Sequence, residues 1–139
     1  MKSISIYFLI AVLLCTLAGC AASTIITGAS LVSSENVVKI QVSSLPESSE
    51  TQRTYTSAEK IKAITDHIDN LQLDTKFPEN PNDYSGSVWV ITYTYADESS
   101  LTLYHFGNMF LRTEQSDWTR LTQEQAVKLS YIIAQYASD

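Results

Sequence analysis

The chain has 139 residues and carries fifteen acidic against nine basic side chains, a net charge of −6 at pH 7. That length suits one domain with one core, and the acidic balance argues against nucleic acid and against docking on anionic headgroups. Both cysteines fall within the first twenty residues, so residues 21–139 can hold neither a disulfide nor a thiolate metal site.

Lys2 and the apolar run Ile6–Leu14 read as the start of an export signal. The run is too short for a spanning helix, which needs about 20 apolar residues, and small residues follow it. Leu17-Ala18-Gly19-Cys20 resembles the lipobox of bacterial lipoproteins at all four positions. The resemblance implies cleavage before Cys20, diacylglycerol on its thiol and often a further acyl chain, such as palmitate, on the new amino terminus. Two or more chains make a lasting membrane anchor. Residues 1–19 are then a signal peptide, 20–35 a tether and 36–139 one domain. Losing Lys2 leaves eight basic residues and a net charge of −7. The expected location is extracytoplasmic, on the outer face of a Gram-positive cytoplasmic membrane. In a Gram-negative source, Ala21 in place of Asp would resemble the outer-membrane sorting pattern.

Val38, Ile40 and Val42 alternate with Lys39 and Gln41, the period-2 pattern of a half-buried strand. A turn-rich stretch from Ser43 to Glu50 leads to a short strand, Thr51–Tyr55. Thr56 and Glu59 are spaced as a capping box for a helix, whose apolar stripe is Ala58, Ile61, Ile64, Ile68 and Leu71. Residues 73–86 read as a loop. Val88–Tyr95 and Leu101–Phe106 are rich in β-branched and aromatic residues, with Ala96–Ser100 as the turn between them.

Phe106-Gly107-Asn108-Met109 reads as a type II′ hairpin with Gly107 at its positive-φ position and Asn108 at negative φ. That pairs Phe106 with Met109, His105 with Phe110, Tyr104 with Leu111 and Leu103 with Arg112. A two- or four-residue loop in the preceding hairpin pairs Tyr93 with Thr102, Ile91 with Tyr104 and Trp89 with Phe106. One face then carries Trp89, Ile91, Tyr93, Tyr104, Phe106, Met109 and Leu111 and is the expected core. The other carries Val90, Thr92, Thr94, Leu101, Leu103, His105, Phe110, Arg112 and Glu114 and looks at water. Trp118–Leu121 is an extended entry to a last helix, capped by Thr122 with Gln125 and buried through Ala126, Leu129, Ile133 and Tyr136. The expected fold class is α+β: an antiparallel meander sheet with two helices packed on one face.

The run His105-Phe106-Gly107-Asn108-Met109-Phe110, followed by Trp118, Glu124, Ala126 and Leu129, is similar to a domain of unknown function in small lipoproteins of clostridia-type Gram-positive bacteria. The likeness covers roughly residues 37–136 and implies location and fold, with nothing catalytic. The chain departs from it at Asp97-Glu98, where the turn commonly reads Asp-Gly. Glu suits positive φ poorly, so a longer loop is expected there.

No catalytic constellation emerges. Asp66 and Asp69 diverge from His67 around a helix, which leaves His67 as a boundary histidine. His105 and Glu114 are too few for a zinc site, which takes three or four ligands. Asp97 and Glu98 sit at a solvated turn, and catalytic carboxylate pairs need an apolar cleft to separate their pKa values. No G-x-S-x-G, phosphate loop, dinucleotide fingerprint or EF-hand is present. The expectation is therefore a non-enzymatic, lipid-anchored binding module with no cofactor and no metal. Its partners are the membrane, through the lipid on Cys20, and an envelope protein or cell-wall component. The candidate partner surface is Val90, Leu101, Leu103, His105, Phe110 and Arg112, since exposed apolar side chains rimmed by charge mark contact sites. Two other classes stay open: an envelope enzyme, hydrolytic or metal-dependent, with an unrecognised site, which a deep pocket containing His105 and Glu114 would favour, and a structural unit that assembles through a sheet edge.

Overall fold

The computed structural model describes residues 24–46 and 51–135. The signal segment, Cys20, Ala21, the turn residues 47–50 and Tyr136 lie outside the described residues. The strands are β1 (Ile25–Thr27), β2 (Val37–Leu45), β3 (Arg53–Tyr55), β4 (Gln72–Asp74), β5 (Val88–Tyr95), β6 (Ser100–Phe106), β7 (Phe110–Thr113) and β8 (Thr119–Arg120). The helices are α1 (Ala58–Asp69) and α2 (Gln123–Gln135). All eight strands form one antiparallel sheet in the order β1-β4-β8-β7-β6-β5-β2-β3. The fold is α+β, with β5 to β8 as the meander.

Both helices lie on one face because each offers a single apolar stripe. Ile61, Ile64 and Ile68 of α1 and Ala126, Leu129 and Ile133 of α2 share one core with Ile40, Val42, Ile91, Tyr93, Leu103 and Leu111 of the sheet. Each fully buried side chain of this kind is worth about 1.5–3 kcal/mol. Tyr55 ties edge strand β3 to α2 by donating its hydroxyl to the Ile133 carbonyl at 3.1 Å. The cap of α1 is Ser57 rather than Thr56, its Oγ accepting from the Lys60 amide. At α2 the Gln125 amide donates to Thr122 Oγ1. With its side-chain amide oriented to satisfy both ends, Gln125 bonds the backbone of Gln72 at 2.8 Å twice. In the other orientation its Oε1 accepts from the Thr122 amide at 3.3 Å, the reciprocal half of the expected capping box.

The segment read as a tether, 20–35, is integral to the domain from Thr24 onward. Ile25–Thr27 pairs with Gln72–Asp74 along one sheet edge, and Val32 is 2% exposed in the core. Gly28 makes this docking possible. Its amide donates to the Leu71 carbonyl at 3.0 Å, and a Cβ there would lie 1.8 Å from the Ile68 carbonyl oxygen. Only glycine brings the backbone this close to the end of α1. Gly28→Ala is expected to push residues 24–32 off the helix end and to lower stability by about 1–3 kcal/mol, as overpacking does. A urea melt checks this, and a midpoint equal to wild type would show the contact to be dispensable.

The hairpin registers differ from the expectation by one residue each. Tyr95 accepts from the Glu98 amide at 3.0 Å and its own amide donates to Ser99 O at 2.9 Å. The loop therefore has three residues, Ala96-Asp97-Glu98, with Glu98 at φ 68°. This is a turn followed by a left-handed residue. Here Glu98 does take positive φ, and Asp97 steadies the loop by accepting from the Ser99 amide and hydroxyl. Ile91 pairs with Leu103 and Trp89 with His105 as a result. In the second hairpin Gly107 (φ 58°) and Asn108 (φ 54°) are both left-handed, and Phe106 pairs with Phe110. The type II′ reading, with Asn108 at negative φ, is thus replaced by a turn in which both residues need the left-handed region.

Candidate functional site

A one-residue shift sends every side chain of a strand to the other face, and that is what happens to β6. Leu101, Leu103 and His105 point into the core beneath the helices, whereas Tyr104 and Phe106 point away. β5 and Leu111 keep their expected faces. The six residues expected to form a partner surface are therefore divided. Leu103 and His105 are 0% exposed, and Leu101 packs against the core. Val90, Phe110 and Arg112 lie on the face away from the helices. Phe110 is itself buried, because residues 75–87 cross that end of the sheet. Phe77 and Tyr84 pack on its ring at 5.5 and 5.3 Å, and Trp118 closes it from the far side at 6.4 Å. Of the expected surface, Val90 and Arg112 remain accessible.

The helix-free face is ordered by the ladders into rows of changing polarity. At one end Lys39, Thr94 and Ser100 stand side by side, followed by Gln41, Thr92 and Thr102. The next row is Ser43, Val90, Tyr104 and Arg112. The last is Leu45, Val88, Phe106 and Phe110. The face thus runs from hydroxyls and amides to aromatic and aliphatic groups along about four residue pairs, and it becomes concave at the apolar end. A cleft of about 270 Å³ lies there, lined by Leu45, Val88, Tyr104, Phe106, Arg112 and Trp118. The Arg112 guanidinium carbon sits 4.5 Å from the centre of the Trp118 ring and 5.7 Å from that of Tyr104, within reach of cation–π attraction. The Tyr104 hydroxyl donates to Glu114 Oε1 at 3.2 Å; partial burial and the Glu114 carboxylate together hold the phenol above its usual pKa.

A larger hollow of about 380 Å³ lies at the other end of β5, among Ser33, Glu35, Asn36, Tyr95, Asp97 and their neighbours. Its polar groups are already engaged: Tyr95 donates to Ser33 O at 3.1 Å and Asp97 is held by Ser99. It offers a ligand little beyond water-exposed carboxylates.

The two histidines sit apart from the outer face. His105 lies between Trp89 and Leu111 across the sheet. Neither ring nitrogen has a protein partner among the described residues, and burial pushes its pKa down to about 4. His67, on the last turn of α1, is half-buried, and desolvation followed by the nearby Lys128 lowers its pKa. Among the described residues no group of three His, Cys, Asp or Glu side chains is placed to hold a metal ion. Nor is any helix there long and apolar enough to cross a membrane.

Of the six residues that line the cleft, the expected partner surface contains Arg112 alone; Leu45, Val88, Tyr104, Phe106 and Trp118 are additional. Even-numbered hairpin loops put Tyr104 in the core, and Trp118 reads as an extended entry to α2. The available signal was the Arg112-to-Trp118 stretch, in which a cation and an aromatic flank a short turn. The chain matches no family model, no curated protein and no solved structure.

Proposed function

We propose that the chain is a lipid-anchored protein of the cell envelope and that its domain is a non-enzymatic binding module acting through the helix-free sheet face. The observation that carries the reading is that face: four strands wide, uncovered by either helix, polar at one end and an aromatic cleft with a guanidinium at the other. A scaffold sheet without a role would be expected to present an evenly polar outer surface. Leu17-Ala18-Gly19-Cys20 supports the anchor, and the likeness of residues 37–136 to a domain of clostridia-type lipoproteins favours the outer face of a cytoplasmic membrane in a Gram-positive cell. The contact surface is Val90, Thr92, Thr102, Tyr104, Arg112 and Trp118, and the partner is an envelope protein or cell-wall component.

Two measurements test this reading. Cys20→Ser, made in the native host, is expected to abolish processing or to release the protein from the detergent phase in Triton X-114 partitioning. Normal processing and partitioning of that variant would refute the anchor. A photo-crosslinking residue at Thr92 is expected to give defined adducts in living cells, and the same residue at exposed Glu59 on α1 is not. Equal yields at the two positions, or none at Thr92, would refute the sheet face as the contact surface.

A further inference from the structure

The proposed contact face leaves open what it contacts, and the cleft at its apolar end narrows the chemistry. Three properties of that cleft constrain its ligand. The first is an exposed cation that no carboxylate of the described residues holds. Lys62, Arg120 and Lys128 each pair with a carboxylate, at 2.6, 2.9 and 2.6 Å. The Arg112 guanidinium makes no ion pair and no hydrogen bond among the described residues. The nearest acid in sequence on its own face, Glu114, accepts from the Tyr104 hydroxyl and forms no ion pair with Arg112. Arg112 is instead held by ring contacts with Trp118 and Tyr104. Such contacts fix the plane of a guanidinium and leave its N–H edge free, the edge that matches a carboxylate in a two-pronged bond.

The second property is the wall. Leu45, 42% exposed, together with Val88, Phe106 and Trp118 surrounds that cation with apolar surface. A ligand that satisfies both must carry a carboxylate within a few ångströms of an apolar group. The third is size. At about 270 Å³ the cleft falls below the range of roughly 300–1,000 Å³ typical of sites that enclose a drug-sized ligand. About one residue of a longer ligand fits within it, and the remainder must lie outside. The negative net charge of the chain further disfavours polyanions, whose repulsion one arginine cannot offset.

We infer that the cleft takes the C-terminal residue of a peptide chain: the terminal carboxylate on Arg112, and an apolar last side chain against Leu45, Val88 and Phe106. The preceding residues of that peptide lie over the rows that follow. There Ser43, Gln41, Thr92 and Thr102 supply hydroxyls and an amide able to bond a peptide backbone. The inference rests on the binding reading of this face and specifies its ligand.

The test uses the full chain in detergent micelles, labelled with ¹⁵N, and reads the Arg112 Nε–H and Trp118 indole N–H signals. The probes are acetyl-Ala-Ala-Leu with a free carboxylate, its C-terminal amide, acetyl-Ala-Ala-Gly with a free carboxylate, and a carboxylated amino sugar. The leucine acid is expected to shift both signals saturably. The amide and the glycine acid are each expected to bind at least about tenfold more weakly, since one lacks the charge-assisted bond and the other the buried side chain. Arg112→Gln, at an exposed position, should fold normally and bind acid and amide alike. Equal binding of acid and amide by the wild type, shifts confined to other residues, or no shift at all would overturn the inference. So would tighter binding of a carboxylated amino sugar, which would assign the cleft to carbohydrate. In any of those cases, Thr92 crosslinks that persist in cells would leave the broader binding reading standing.

Discussion

Acidification from pH 7 to pH 4 is expected to remove about 3 kcal/mol of stability through His105 alone. The imidazole is 0% exposed, and burial moves its pKa from 6.5 down to about 4. Between those two values the unfolded chain binds a proton that the folded chain refuses. The equilibrium therefore shifts toward unfolding as pH falls through that window, at about 1.4 kcal/mol per unit of difference. Above pH 6.5 both states hold the ring neutral and the full contribution is present. Urea melts at several pH values read the effect directly. His105→Leu keeps apolar bulk between Trp89 and Leu111 and removes two ring nitrogens that have no protein partner among the described residues. It should be at least as stable as wild type at pH 7, because an unbonded buried polar group is destabilising. Its acid slope should be shallower, keeping the share due to His67, whose lowered pKa acts in the same direction. Parallel slopes in the two proteins would mean that His105 is hydrated or bonded when folded.

Leu103→Ala is expected to lower stability by about 2–5 kcal/mol, the range for truncating a fully buried leucine. Tyr104→Ala should lower it by about 1 kcal/mol or less, as changes on an open face usually do. Leu103 is 0% exposed beneath both helices. Tyr104 touches Arg112 and Glu114 on the other side of the sheet. The pair therefore reports which way β6 faces. A reversed ranking in chemical denaturation would restore the two-residue hairpins and bring His105 to the surface.

That orientation is where reasoning from residues alone met its limit. Both helices were legible because their apolar side chains recur at helical spacing behind a hydroxyl cap. β5 is legible because its eight residues are all β-branched or aromatic. The loops were not. The first loop ends on a left-handed residue that is not glycine, Glu98, and the second holds Gly107-Asn108-Met109, where Gly107 alone suggests a two-residue turn. Each hairpin was consequently offset by one. The two offsets add to two residues, so Ile91 stands in a row with Leu103 and Thr113 rather than with Tyr104 and Leu111. An even shift leaves Leu111 on its expected face while β6 between is inverted. The apparent agreement between the hairpins came from one assumption made twice. β1 and β4 escaped for a different reason: with three residues each, no alternation can be recognised, and what holds β1 is a backbone contact between Gly28 and Leu71. The covering of Phe110 by Phe77 and Tyr84 was likewise invisible, since residues 75–87 have no period to follow. Of the candidate site, Val90 and Arg112 were identified from sequence, and the aromatic partners of Arg112 were not.

The docking of β1 beside β4 also bears on the order in which the molecule assembles. Strands β5 to β8 are consecutive and close short loops. The β1–β4 pairing joins Ile25 to Asp74 and must enclose β2, β3 and α1, so its closure entropy is larger and its contacts are local only at the end. The meander with its helices is expected to form at the rate-limiting barrier, and residues 24–32 to join after it. A change confined to the late-joining segment alters the rate of leaving the native state and not the rate of reaching it. In stopped-flow chevrons Gly28→Ala should accordingly refold at the wild-type rate and unfold faster by the whole of its stability loss, which makes this edge strand the release catch of the domain.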